Sequence, residues 1–147
     1  MKYIAHKWDK TLLGSTSVEF ANAEMMQQHV GALKGAVTGP SYGSTDRDAI
    51  MAKCYPLLEG ILKFKGTHKW VVGETLTWLD FSFFELVEQL NHVASGKLLD
   101  KYPELATYHH NFISLPKFGE VWKDDEKLMK YPFNNAFALI GGRDSKN

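Results

Sequence analysis

The chain has 147 residues, 44% of them hydrophobic and 23% charged, which describes one globular domain rather than two domains or a disordered segment. Lys plus Arg and Asp plus Glu both total 17, so the formal net charge is zero, and the electrostatic footprint that nucleic acid or an anionic membrane surface demands is missing. There is one cysteine, Cys54, so no intrachain disulfide forms; this fits the cytoplasm or another reducing compartment.

At the amino terminus, Tyr3, Ile4 and Trp8 group on one side of a short helix expected over residues 2–10. This stretch has no long apolar centre of the secretory kind. It carries lysines and almost no acids but lacks arginine, so a mitochondrial address is a weaker expectation. Gly14 and Ser15-Thr16-Ser17 break the chain, and Thr16-Ser17-Val18-Glu19 has the form of a capping box. A long helix is expected from there to about Val37, ended by Gly39-Pro40. Gly31 and Gly35, four apart, share a face of it, a pattern that suits close packing of another helix. Thr45-Asp46-Arg47-Asp48 reads as a second capping box. The helix after it carries Ile50, Met51, Cys54, Leu57, Leu58, Ile61 and Leu62 on one stripe and stops near Lys65-Gly66. Cys54 within that stripe is expected to be a buried, inert thiol.

The strongest local signal is Leu76-Thr77-Trp78-Leu79-Asp80-Phe81. Thr77 and Asp80 form an amino-terminal capping box, and Leu76 and Phe81 occupy the two ends of a hydrophobic staple. The helix they open, Trp78 to Val93, is apolar on most sides, so it belongs at the centre of a bundle. Tyr102-Pro103-Glu104 starts the next helix, Pro116 interrupts it, and Lys117–Asp124 makes further turns. Asp124-Asp125-Glu126 reads as a solvated helix end. The segment 130–142 is apolar but irregular and is expected to pack across the bundle before a polar tail, 143–147. Trp70-Val71-Val72 is too short to build a sheet, so the fold class is all-α. Six histidines are present, but His109 and His110 are adjacent and point about 100° apart on a helix, with no ligand at metal spacing. No nucleophile elbow and no phosphate-cradling glycine pattern occurs, so no catalytic, cofactor or metal residue is assigned. No apolar run reaches the roughly 20 residues that cross a bilayer.

The Thr77–Asp80 box after Trp70-Val71-Val72-Gly73, the Leu99-Asp100-Lys101-Tyr102-Pro103-Glu104-Leu105 segment and Pro132-Phe133-Asn134-Asn135 together resemble the helical C-terminal half of glutathione transferases of the mu kind. Tyr3-Ile4-Ala5-His6-Lys7 resembles the end of that family's first domain. The resemblance divides the chain into a remnant over 1–14, the helical domain over 15–142 and the tail. It implies a bundle with a buried central helix. It also implies that the thioredoxin-like domain holding glutathione and the catalytic residue has no counterpart here. Where mu-like members place an acidic residue that reaches the glutathione amine, this chain has Gln27, with Glu24 one turn away. Three functions follow as expectations. The first is a non-catalytic, structural or protein-interaction subunit of a larger assembly, homo-oligomeric or mixed. The second is a C-terminal fragment of a mu-like transferase, with glutathione as cofactor only in that case. The third is a carrier of small apolar molecules. Tyr3, Trp8, Met25, Gly31 and Gly35 are the candidate interface. The flank around them, with Ile4, Phe20, Met26 and Val30, is expected to exceed what one core stripe needs.

Overall fold

A computed structural model describes residues 1–124, 132–133 and 136–142. Seven α-helices occur among them: α1 Lys2–Trp8, α2 Ser17–Gly43, α3 Arg47–Lys65, α4 Trp78–Val93, α5 Leu98–Lys101, α6 Pro103–Ile113 and α7 Pro116–Asp124, with a 3-10 turn at Lys10–Leu13. No strand is present among the described residues. The all-α expectation therefore holds. Of the expected features, Asp125-Glu126, Asn134-Asn135 and the 143–147 tail lie outside the described residues.

The central helix has the expected bounds. Ten of its sixteen residues are buried, including Phe83, Leu86, Val87 and Leu90 on different sides, because α2, α3, α5 and α6 all pack on it. Its start is fixed by side chains. Both halves of the Thr77–Asp80 box are formed. The Asp80 carboxylate takes the Thr77 amide at 2.8 Å and the Thr77 hydroxyl at 2.9 Å. Leu76 and Phe81 both sit half-buried against the core. The carboxy-terminal end of α4 is met by the Arg47 guanidinium, which donates to the carbonyls of His92 (2.7 Å) and Val93 (3.2 Å). A cation there complements the helix dipole.

Three local expectations are corrected. First, α2 does not stop at Val37 but runs through Gly39 and Pro40 to Gly43. Tertiary bonds hold this last turn. The Ser41 hydroxyl donates to the Val37 carbonyl at 2.7 Å, and the Ser41 carbonyl accepts the amides of Leu139 and Ile140. Tyr42 adds an edge-on contact to Phe133 and donates its hydroxyl to the Phe133 carbonyl at 3.2 Å. The described part of the 130–142 segment thus packs on the bundle, with Phe133, Ala138 and Ile140 buried. Second, the cap of α3 is Asp46, which accepts the Ala49 amide at 2.9 Å; Thr45 lies outside the helix. Asp46 wins because its carboxylate is a stronger acceptor, and Ser44 anchors it by accepting its amide at 3.0 Å. Third, at the start of α2 the Thr16 hydroxyl accepts the Glu19 amide, but the Glu19 carboxylate turns to the Ser15 amide at 2.7 Å instead of the Thr16 amide.

Candidate interaction surface

The amino-terminal helix α1 buries a single residue, Ala5. Lys2 ties it to α2 by an ion pair with Glu24 at 2.7 Å, and the same ammonium lies 4.8 Å from the centre of the Trp78 ring. An ammonium over the face of a tryptophan is favoured by the ring quadrupole. With Ala5 turned inward, the large apolar residues of α1 turn outward. Tyr3 is 73% exposed and Trp8 is 75% exposed. Ile4 accompanies them, as do Val18, Phe20 and Met25 at the start of α2.

Farther along α2, Gly31 and Gly35 are exposed, and a Cβ built on either would meet nothing within 4 Å. Close packing of a helix of this chain on that pair is therefore not what the glycines serve. They belong to a longer series. Gly39 and Gly43 continue the four-residue spacing, and both are equally open. Phe20, Glu24, Gln27, Gly31 and Gly35 follow one another at helical spacing, forming a ridge that faces away from the core stripe. Sequence reading noticed the first two glycines and missed the others, because Gly39-Pro40 reads as a helix stop. Met26 and Val30, grouped with the exposed residues by that reading, are instead buried in the core. Leu33 and Val37 complete their stripe, and α3 and α4 cover it. Phe20 and Met25 remain outside it.

Gln27 is exposed on the ridge. The Glu24 carboxylate is engaged by Lys2 within the chain. Elsewhere, Cys54 is fully buried, and burial pushes its thiol up to about 11, which keeps it protonated at neutral pH. His109 pairs with Glu88 and stacks on Phe84, and no group able to hold a metal ion occurs among the described residues. Lys65 is a buried lysine whose ammonium caps the His68 carbonyl, and burial holds it below its ordinary value.

Asp80 is the most heavily connected polar side chain of the core. Besides Thr77, it accepts the Val71 amide at 2.9 Å and faces the Tyr108 hydroxyl, which also donates to the Asp80 carbonyl at 3.0 Å. Burial raises its carboxyl above the ordinary value, against the pull of these bonds. All its partners belong to the loop before α4, to the start of α4 and to α6, so the carboxylate joins these elements.

Residues 43–124 match the family model described as the glutathione S-transferase C-terminal domain. The chain belongs to that family. Among related proteins, it is 28% identical to glutathione S-transferase Mu 3 of Homo sapiens and 26% identical to glutathione S-transferase Mu 5 of Mus musculus. Each of those alignments covers 97% of this chain and 63% of the relative. A class-mu 26 kDa glutathione S-transferase of Fasciola hepatica is 24% identical over 99% of this chain and 66% of its own length. The chain thus spans about 63% of the length of the mammalian relatives it matches. In this glutathione transferase C-terminal domain, no described helix is long and apolar enough to cross a membrane.

Proposed function

We propose that this helical domain works as a structural, protein-interaction subunit, with another polypeptide covering α1 and the open ridge of α2. One observation carries the reading: Tyr3 and Trp8 lie more than 70% exposed on α1, and Val18, Phe20 and Met25 of α2 are exposed as well. Large aromatic side chains gathered on a protein surface mark contact sites. The rival arrangement, in which the 1–17 segment and the 130–142 segment fold back over this flank, receives no support, since the described parts of both leave Tyr3, Trp8 and Met25 open. Zero net charge adds little self-repulsion to oppose association. The occupant is a folded domain with an apolar face.

The test is size-exclusion chromatography with light scattering on native source material, followed by mass spectrometry of what travels with the chain. A stoichiometric complex that dissociates when Trp8 is replaced by Glu is expected. A wild-type monomer, with Trp8 quenched by acrylamide as freely as a tryptophan analogue in solution, defeats the proposal. A second reading is favoured by the names of the matched relatives: the chain is the helical part of a mu-like glutathione transferase and needs a thioredoxin-like domain for activity. Adding such a domain and finding saturable conjugation of glutathione to an electrophile would select it.

A further inference from the structure

We propose that Lys65 is a nucleophilic amine that takes a small hydroxyaldehyde as an imine, in the cleft between the end of α3 and α6. The cleft has a volume of about 450 Å³. Lys65, the last residue of α3, lines it with His68 and Glu74 of the following loop and with Glu104, Thr107 and Asn111 of α6. Helical spacing brings the three α6 residues onto one face. Lys65 is only 5% exposed, although a lysine ordinarily keeps its ammonium in water. Among the described residues it enters no ion pair, and the His68 carbonyl is its one hydrogen-bond acceptor. A buried ammonium with one acceptor and no paired carboxylate is the costly form of this side chain. The neutral amine avoids that cost. It keeps one hydrogen on the His68 carbonyl and leaves its lone pair free to react. Burial holds the amine below its ordinary value in the same sense, opposed by the charges of Glu74, Asp80 and Glu104.

The step needs no reagent beyond the aldehyde. The amine lone pair attacks the carbonyl carbon, and the π pair of the C=O bond moves to oxygen. One proton passes from nitrogen to that oxygen and gives the carbinolamine. The hydroxyl then leaves with the second nitrogen-bound proton as one water, and the C=N bond forms. The polar lining sets the substrate class. Glu104 and Asn111 offer a carboxylate and an amide to the hydroxyl groups of the ligand, bonds that an alkyl aldehyde does not make. None of the lining residues belongs to α1 or α2, so this inference is independent of the assembly proposed above.

The test is reductive trapping. The full chain is incubated near neutral pH with glyceraldehyde or propanal and cyanoborohydride, which reduces the imine to a stable secondary amine. Peptide mass spectrometry then locates the alkylated lysines, and the exposed lysines serve as the reference for the intrinsic reactivity of each aldehyde. Lys65 is expected to be alkylated before the exposed lysines, with a larger lead for glyceraldehyde than for propanal. Unfolding in urea should abolish that lead, and Lys65→Met should lose the first modification while the other lysines react as before. Glu104→Gln, at an exposed position, removes a charge that favours the ammonium. Alkylation of Lys65 by propanal should therefore quicken in that variant, and the preference for glyceraldehyde should narrow. Alkylation of the exposed lysines first, an equal lead with the two aldehydes, a lead that survives urea, or unchanged rates at Lys65 in Glu104→Gln would each overturn the proposal.

Discussion

Asp80 shows how one side chain can hold two elements together. Its carboxylate faces the Thr77 amide and hydroxyl, the Val71 amide and the Tyr108 hydroxyl, all in the core. Replacing it by Ala orphans several buried donors, so a loss of about 2–4 kcal/mol is expected, more than a surface cap would cost. Tyr108→Phe removes one donor and should cost about 1 kcal/mol. Urea unfolding of both variants checks the order; equal midpoints for wild type and Asp80→Ala would remove the structural role. Cys54 gives a simpler expectation. With its thiol up to about 11 and no exposure, it should not react with a disulfide reagent at neutral pH until the protein unfolds. His92 gives a pH dependence. Burial, helped by the nearby Arg47 charge, holds its imidazole below the ordinary 6.5, so the folded state favours the neutral ring. Its contribution to stability is therefore full above pH 6.5 and declines as pH falls from there through the folded-state value. Arg47 and the Glu88 carboxylate line the same cleft, and Glu88 is already paired with His109. Urea midpoints between about pH 7.5 and pH 5.5 should fall less in His92→Gln than in wild type.

Among the elements, α2 and α4 differ in how far local signals reach. The capping box, the staple and an all-round apolar pattern are written within a few residues of α4, and they give its start and its buried position. The end of α2 is not local. Gly39 and Pro40 oppose helix by propensity, and the turn persists because Ser41 and Tyr42 are held by residues about 90–100 positions away. The closeness of α6 and α7 is set across their short connection. A Cβ at Gly119 would run into the Ile113 carbonyl, a backbone atom that cannot rotate aside. Gly119→Ala should therefore push α7 outward, at a cost of about 1–3 kcal/mol, and loosen the ring contacts of Phe118 and Trp122 with it. Loss of the Phe118 and Trp122 ring-current shifts would register the displacement; an unchanged spectrum and melting temperature would show that α7 tolerates the methyl group.

For the whole molecule, the proposed role predicts inactivity of the isolated chain. Purified alone, it should not conjugate glutathione to an electrophile above the uncatalysed rate, because no described residue is placed to stabilise a thiolate. Saturable turnover by the chain alone would contradict the subunit reading. Sequence by itself determined the all-α class, the bounds of the central helix and the burial of Cys54, since each rests on residue spacing within a helix or its cap, and the family resemblance, which rests on short motifs spread along the chain. Only the tertiary structure decided which apolar residues of the first forty form core and which form surface. Met25 and Met26 are adjacent and chemically identical, yet one is exposed and the other buried, because helix rotation against α3 and α4 sets which side is covered. The same holds for the glycines of α2. Their spacing is visible in the chain, but whether a neighbour fills the space they leave depends on contacts between distant segments, and within this chain that ridge stays open.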